Sequence, residues 1–335
     1  MRRSFAPPKK LLDLLRSHNT FLVFGHAEPD GDCAASQLVL AGFLRRQGKK
    51  AEVFSAGPFD RPELADLGPR FRSRVRPADL SGDPVAVVLD CSTLERVGAL
   101  AKRIDGLPVV VVDHHTSGRS FGDLRWVVPE APSTSLLVQR LIERFPAQLT
   151  AEEAELLLFG LATDTGFFRH LEQDSADVLA AVGRLTEAGA SPRAVHRRIY
   201  GGWPLGKVRL LAWSLDRARF ELSGRVLVTS LNLEDLRQAG VALPRGSDEA
   251  YRILQSVRGV ELVAFVHEEG PGRCAVGLRS NGDFDVGVLA AELGGGGHRR
   301  AAGYNRSGTV QEVEAHLLAE LSLRLSPSPA RGRKT

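Results

Sequence analysis

The sequence has few cysteines, few aromatic residues and no long apolar run. Its three cysteines are odd in number and lack paired metal-ligand spacing. No disulfide framework is therefore expected, and a reducing cytoplasm is the default compartment. No stretch approaches ~18 consecutive apolar residues, and the basic amino terminus lacks the apolar centre of a signal peptide, so no membrane association is expected. Aromatic residues make up 6%, with no evident track of rings for a long single strand of nucleic acid.

The chain has a net positive charge, but the excess of basic residues comes from its two ends. The formal net charge is +4, with 44 Lys and Arg against 40 Asp and Glu. Seven of the basic residues lie in the terminal stretches 2–10 and 331–334, which leaves 37 for the rest of the chain. The body is thus nearly neutral, and a surface for long duplex nucleic acid is not expected.

The first half of the chain alternates short apolar runs with helical patterns. Continuous β-branched runs separated by helices are typical of a parallel sheet that is covered on both faces, which predicts a doubly wound α/β domain. The predicted strands are 20–25, 51–55, 85–89 and 108–112, and the predicted helices are 33–47, 133–144 and 151–163.

The second half predicts a smaller α/β domain. A length of 335 residues is typical of two domains. We predict a catalytic domain over 1–195, a linker over 196–219, a substrate-binding domain over 220–325 and a disordered tail over 326–335. The smaller domain has predicted strands at 225–231, 261–267 and 273–279, and predicted helices at 249–257 and 286–293.

Acidic and histidine side chains follow the predicted strands where each strand ends. Because the carboxyl ends of parallel strands lie along one edge of a sheet, these side chains are expected to meet there. A single aspartate after a strand is often only a helix cap, but a cluster from four segments is hard to explain as capping. The residues are His26, Asp30 and Asp32 after the first strand, Asp90 after the third, Asp113, His114 and His115 after the fourth, and Asp164 at the end of a helix.

The types of side chain in this cluster indicate which metal ions it would bind. Carboxylate oxygen with imidazole nitrogen suits Mn²⁺ or a similar cation better than a structural zinc site built on thiolates. Several carboxylates in one cleft repel one another, and two divalent ions sharing a carboxylate resolve that repulsion. We therefore expect two Mn²⁺ ions, with Mg²⁺ or Co²⁺ as alternatives. Cys33 and Cys91 each follow a proposed ligand, and we interpret both as small buried residues beneath the site.

A glycine-rich element lies near the carboxyl terminus. Four glycines precede His298, and such a backbone can approach an anion closely and direct N–H groups at it. His298 and Arg300 add donors suited to phosphate, and Arg279 with Ser280 closes the strand upstream. A purely flexible loop is the alternative, but the flanking helix and small residues favour packed structure. The predicted phosphate-binding residues are Arg279, Ser280, Gly295, Gly296, Gly297, His298 and Arg300.

Together these motifs resemble a known family. HAEPDGD, LDCS, VVDHH and TDTG resemble the four-motif pattern of the DHH phosphoesterase superfamily, and RS with DVGVLAAELGGGGHRRAAG resembles its associated carboxyl-terminal domain. The resemblance covers roughly residues 15–320, and the layout is most similar to the bacterial nanoRNase and pAp-phosphatase branch. It departs from the pattern at Cys33, where the family often has alanine, and at the segment 133–136, which lacks the usual acid.

The resemblance implies a role for each motif residue. His26 and Asp30 would hold one metal, and Asp32, His114 and Asp164 the other. Asp90 would bridge the two metals, His115 would contact the scissile phosphate, and Asp113 would orient the histidines. The implied site lies in a cleft between the domains, where the glycine-rich element grips one phosphate of the substrate while another is cut.

The implied activity is Mn²⁺-dependent hydrolysis of oligoribonucleotides of a few residues and removal of the 3′-phosphate of pAp. The expected partners are these small nucleotides, and a homodimer is left open. A phosphodiesterase for linear or cyclic dinucleotides is the alternative within the superfamily. A non-catalytic nucleotide sensor is the alternative from another class, although such a protein would be expected to have lost ligands.

Overall fold

The computed structural model describes residues 5–115, 118–173, 175–241 and 248–325. The chain forms two compact units, Met1–Gly202 and Trp203–Thr335. This division falls inside the predicted linker 196–219, much of which is helical. The predicted domain boundaries stay predictions, and the predicted tail 326–335 lies outside the described residues. No helix among the described residues is long and apolar enough to cross a membrane.

The first unit contains the predicted parallel sheet. Its five strands have the order β2-β1-β3-β4-β5, and every neighbouring pair is parallel. The strands are β1 Thr20–Phe24, β2 Lys50–Phe54, β3 Val85–Leu89, β4 Val109–Asp113 and β5 Leu124–Val127; the helices are α1 Lys9–Ser17, α2 Gly31–Arg46, α3 Thr134–Ile142, α4 Ala151–Asp164, α5 Ala176–Glu187 and α6 Pro192–Tyr200.

Both faces of this sheet are buried, which explains the continuous apolar runs. Along β1, Phe21 and Val23 pack in the core formed with α2, α3 and α4. Leu22 and Phe24 point to the opposite face, which is covered by a 3₁₀ segment at Leu94–Arg103. Because successive side chains of a strand alternate between faces, the four residues of β1 after Thr20 are all apolar and pack in two different cores.

The second unit contains a mixed six-stranded sheet with the order β10-β11-β9-β8-β7-β6. Only β7 and β8 pair in parallel; the other neighbours are antiparallel. The strands are β6 Arg219–Glu221, β7 Val226–Leu231, β8 Leu262–Gly270, β9 Arg273–Ser280, β10 Gly296–His298 and β11 Ala301–Ser307; the helices are α7 Leu205–Asp216, α8 Leu233–Ala239, α9 Asp248–Gln255, α10 Val286–Glu292 and α11 Val310–Arg324.

The predicted α/β class is confirmed for both units, although several elements were not predicted. Strand β5 is short, lies at the sheet edge and contains the exposed Arg125, so it lacks the apolar run of a buried strand. Strand β11 begins with small residues of low strand propensity, and its pairing with β9 and β10 supplies the order that its own sequence does not.

Candidate functional site

The carboxyl ends of the parallel strands bring histidines and aspartates of the first unit together. Nε2 of His26 lies 3.5 Å from Oδ2 of Asp90 and 3.7 Å from Oδ2 of Asp30. Nε2 of His114 lies 3.4 Å from Oδ1 of Asp90 and 3.1 Å from Oδ2 of Asp164. Four segments that are distant in sequence therefore meet at one place, as the strand-end pattern predicted.

Asp90 lies at the middle of this group. One of its carboxylate oxygens faces His26 and the other faces His114, and the residue is 1% exposed. Its φ is +56°, a left-handed conformation that non-glycine residues adopt rarely. Such backbone strain persists where the surrounding structure fixes the residue, and here the Oγ1 hydroxyl of Thr134 donates a 3.1 Å hydrogen bond to Asp90.

Asp32 is held by the amino terminus of α3. The backbone N–H groups of Thr134 and Ser135 donate to its two oxygens at 2.6 and 2.7 Å. These are N–H groups that a helix start leaves without internal partners, so they stabilise a carboxylate. Helix α4 packs closely here because Gly160 has no side chain: a Cβ at that position would lie 2.1 Å from Oγ of Ser135.

Thr134 and Ser135 are site residues that the sequence reasoning missed. The sequence showed only that the segment 133–136 lacks the acid common in the family. A signal was present, because Ser133 is a typical helix cap and accepts from the N–H of Leu136 at 3.1 Å. A cap marks a helix start, and its neighbouring N–H groups are the natural partners of a buried carboxylate.

Two of the histidines are oriented by backbone carbonyl groups. Nδ1 of His26 lies 2.8 Å from the carbonyl oxygen of Ala27, and Nδ1 of His114 lies 3.2 Å from that of Ala131. A proton on Nδ1 would make each hydrogen bond and leave the lone pair of Nε2 available to a cation held between the histidine and the carboxylates. Metal-binding histidines are commonly held in this way.

Asp113 contacts the side chain of His115 and the backbone of His114. Its Oδ1 atom lies 2.7 Å from Nδ1 of His115 and accepts from the backbone N–H groups of His114 and His115 at 2.8 and 3.2 Å. Asp113 is buried, whereas His115 is partly exposed. The carboxylate therefore fixes His114 and His115 directly after β4 and leaves Nε2 of His115 facing away from it.

The charges in this group are strongly coupled. Burial raises the pKa of Asp32 well above its usual range and that of Asp164 to about 6, and neighbouring carboxylates add to both shifts. Burial lowers the pKa of His114, but hydrogen bonds with Asp164 and Asp90 outweigh it and raise that pKa to about 11. Several carboxylates therefore lie close together in a buried site, where a nearby positive charge is needed to stabilise their ionised forms.

The donor set fits divalent cations. Three groups of potential ligand atoms each lie within 4.8 Å of one another, and Asp90 belongs to two of them. Asp164 ends helix α4, where the helix dipole is negative, so its charge there needs a nearby cation. The groups are His26, Cys33 and Asp90; Asp90, His114 and His115; and Asp32, His114 and Asp164.

Both cysteines near this site are buried, as predicted, but their surroundings differ. The Sγ atom of Cys33 belongs to the group with His26 and Asp90 and lies 3.6 Å from Oε1 of Gln37. Cys91 directs its thiol at the carbonyl oxygen of Thr93, 3.1 Å away. The interpretation of Cys33 as only a small buried residue leaves out its position among potential metal ligands.

In the second unit, the predicted phosphate-binding residues lie on one edge of the sheet. His298 on β10 pairs with Ala301 on β11, and Ala301 pairs with Arg279 on β9. Directly paired residues share a face, so His298 and Arg279 flank the small side chain of Ala301, with Cα atoms about 10 Å apart at two strand spacings. The guanidinium of Arg279 stacks 4.3 Å above the ring of Tyr251.

The remaining predicted residues of this element have different surroundings. Ser280 is buried, and its N–H donates to the carbonyl of Arg300 at 3.0 Å, which ties β9 to the hairpin turn. Gly295 and Gly297 are required by packing, because a Cβ on either would lie within 2.6 Å of the backbone of β11. Gly296 and Arg300 are exposed. The glycine run is therefore packed hairpin backbone rather than a flexible loop.

An aromatic cluster follows Asp164 and was not predicted. The ring centroid of Phe167 lies 5.1 Å from that of His196, 5.2 Å from that of Phe168 and 6.2 Å from that of Tyr200. The N–H of Phe167 donates to the carbonyl of Ala162 at 2.7 Å, which folds the turn back onto the end of α4. The cluster joins the turn after α4 to helix α6, so no local sequence pattern indicates it.

Family comparisons match both units. Residues 20–161 match the DHH family, N-terminal domain, and residues 240–325 match the DHHA1 domain. The first match contains His26, Asp30, Asp32, Asp90, Asp113, His114 and His115 and ends just before Asp164, and the second contains every predicted phosphate-binding residue.

Individual proteins match over most of the chain. The bifunctional oligoribonuclease and PAP phosphatase NrnA of Thermus thermophilus is 31% identical over 288 residues, covering 84% of this chain and 83% of that protein. An exopolyphosphatase-related protein from Bacteroides fragilis has a similar structure, with a TM-score of 0.78, 25% identity, and coverage of 95% and 97% of the two chains. The exonuclease RecJ bound to manganese shares the fold at a TM-score of 0.52 and 17% identity, with 98% of each chain covered.

Proposed function

The chain belongs to the DHH family, and from this premise we propose that it is a phosphoesterase that hydrolyses short oligoribonucleotides and removes the 3′-phosphate of pAp. The observation that carries the proposal is the convergence of His26, Asp90 and His114 with two further carboxylates in one buried group. The relative from Thermus thermophilus, named for both activities, supports the choice of substrates. A sensor without turnover would not need to keep this complete set.

We assign the ligands as the family resemblance implies. His26 and Asp30, whose Nε2 and Oδ2 atoms lie 3.7 Å apart, would hold one cation, and Asp32, His114 and Asp164 would hold the other. Asp90 would serve both, because one of its oxygens faces His26 and the other faces His114. When bound, the cations supply Lewis acidity toward phosphoryl oxygens and lower the pKa of a water molecule. Mn²⁺ suits this mixture of carboxylates and imidazoles, and Mg²⁺ or Co²⁺ are the alternatives.

His115 and Asp113 have a separate task in this proposal. Asp113 fixes the imidazole of His115 through Nδ1, and the exposed edge of the ring is left for the phosphate that is cut. A fixed ring stabilises developing charge better than a mobile one, because no reorganisation is needed during the reaction. Asp113 is thus a positioning residue, and His115 is the residue that contacts substrate.

The second unit supplies the phosphate-binding surface. His298 on β10 and Arg279 on β9 offer nitrogen donors from either side of β11, and Ala301 between them leaves room for a phosphate. In the first unit, the cluster of Phe167, His196 and Tyr200 offers ring surfaces on which a nucleobase can stack. The first surface fits a terminal phosphate, and the second fits a nucleobase.

A turnover panel with added Mn²⁺ tests the function. We expect rapid hydrolysis of a 5′-phosphorylated RNA dinucleotide and of pAp, and at least tenfold lower kcat/KM for a 24-mer RNA, a cyclic dinucleotide and pyrophosphate. The physical reason is that pyrophosphate lacks a base, a cyclic dinucleotide lacks a terminal phosphate, and the chain has no evident track of aromatic rings that would reward a long strand. Separation of the products by chromatography measures each rate.

Other outcomes of the panel have distinct meanings. Preference for the cyclic dinucleotide, the long RNA or pyrophosphate would keep the metal centre and overturn the substrate assignment. Binding of pAp without hydrolysis of any compound would favour the sensor.

Replacing Arg279 with alanine should raise KM for the dinucleotide about tenfold with a smaller effect on kcat. Loss of one charge-assisted phosphate contact corresponds to roughly 1.5 kcal/mol, and a phosphate distant from the reacting bond is bound similarly before and during the reaction. Arg273→Ala is the matched control, because Arg273 begins the same strand β9 and its side chain is 63% exposed. Equal KM changes in both variants would contradict a specific site at Arg279.

A further inference from the structure

Among the described residues, Cys33 is the cysteine that belongs to a group of potential metal ligands. It lies in the first turn of α2, directly after Asp32, and is fully buried. Its Sγ atom, one ring nitrogen of His26 and one oxygen of Asp90 all lie within 4.8 Å of one another.

These three atoms form one of the groups of potential metal ligands. Zinc-type ions bind sulfur at about 2.3 Å and nitrogen or oxygen at about 2.0–2.2 Å, which places neighbouring ligand atoms roughly 3.3–3.8 Å apart. Nε2 of His26 and Oδ2 of Asp90 already lie 3.5 Å apart. The competing contact of the thiol, to Oε1 of Gln37 at 3.6 Å, is weak because S–H is a poor hydrogen-bond donor.

Cys91 shows that sequence adjacency to a ligand is not sufficient. It follows Asp90 directly and is also buried, yet its thiol donates to the backbone of Thr93 at 3.1 Å. Among the described residues, Cys91 is not part of any group of potential metal ligands. The geometry therefore distinguishes two cysteines that the sequence presents alike.

We propose that Cys33 is a thiolate ligand of the cation held by His26 and Asp90. The inference rests on the proposed metal centre and not on the substrate assignment. Binding releases the thiol proton to solvent, and the new bond joins sulfur to the cation. This half of the centre is then softer than the half formed by Asp32, His114 and Asp164, and it favours Zn²⁺ or Co²⁺ over Mn²⁺.

The test is a titration of the metal-free full-length protein with Co²⁺ under reducing conditions. We expect a near-ultraviolet sulfur-to-cobalt charge-transfer band in the wild type and in Cys91→Ala, and none in Cys33→Ala, which should still show the weak visible bands of bound Co²⁺. Zn²⁺ affinity should fall at least tenfold in Cys33→Ala, with little change for Mn²⁺. The same band in Cys33→Ala, or no band in the wild type, would overturn the proposal.

A second variant keeps the test decisive if Cys33→Ala does not fold. The double variant Cys91→Ala and Cys274→Ala retains only one of the three cysteines, Cys33. A charge-transfer band in that protein assigns the ligand to Cys33, and its absence excludes it. Hydrolysis of the dinucleotide by the same sample is a separate measurement, so failure of this inference is distinguishable from failure of the proposed function.

Discussion

Replacing Asp90 with alanine is expected to lower kcat for a 5′-phosphorylated RNA dinucleotide by about a thousandfold or more. Asp90 faces His26 with one oxygen and His114 with the other, so its loss removes a ligand from both halves of the centre. If charge stabilisation of about 4 kcal/mol is lost with the cations, the rate falls about a thousandfold. Steady-state rates at saturating substrate and Mn²⁺ measure the effect.

Asp123→Ala is the matched control for this experiment. Asp123 lies at the opposite end of the same sheet, where its carboxylate accepts from the N–H of Val109 at 2.8 Å. It should keep kcat within about threefold of the wild type, because it is an exposed turn residue distant from the reacting groups. Asp90→Ala with normal turnover and an unchanged circular dichroism spectrum would contradict the assignment of the bridging ligand.

Asp90 also illustrates what the sequence could predict. Apolar β-branched runs are long, regular signals, and a parallel sheet aligns the residues that follow them. The sequence therefore predicted β1, β3 and β4 within one or two residues and predicted that His26, Asp90 and His114 would meet. The left-handed φ of Asp90 had no such signal, because the surrounding structure, and not the local preference of aspartate, determines it.

Other features of the site depend on contacts between distant segments. Thr134 and Ser135 bind Asp32 across about 100 positions of sequence, and Phe167 meets His196 through the packing of α6. Strand β11 was not predicted for the same reason: it is ordered by its pairing with the distant strand β9. That pairing places Ala301 opposite Arg279. A periodic pattern reports which face of an element is buried, but it does not report which element packs against that face.

Removal of divalent cations is expected to abolish turnover and to lower the melting temperature of the first unit. Asp32 and Asp90 are almost fully buried, and the folded protein holds their carboxylates together where an unfolded chain would separate them. Cations bind the folded state preferentially and stabilise it by about 2.7 kcal/mol at one hundred times the dissociation constant, which corresponds to roughly 5–10 °C for a unit of this size. Calorimetry after chelation and dialysis measures the shift.

Restoration by individual cations then separates the roles of the ligands. Mn²⁺ should restore both turnover and melting temperature, and Mg²⁺ should restore less of each, since Mg²⁺ prefers oxygen ligands and His26 and His114 offer nitrogen. In Asp90→Ala, the Mn²⁺-induced shift should shrink to a small fraction of the wild-type shift. An equal shift in both proteins would mean that the stabilising ion binds elsewhere, and full turnover after chelation would mean that His26, Asp90 and His114 act without a cation.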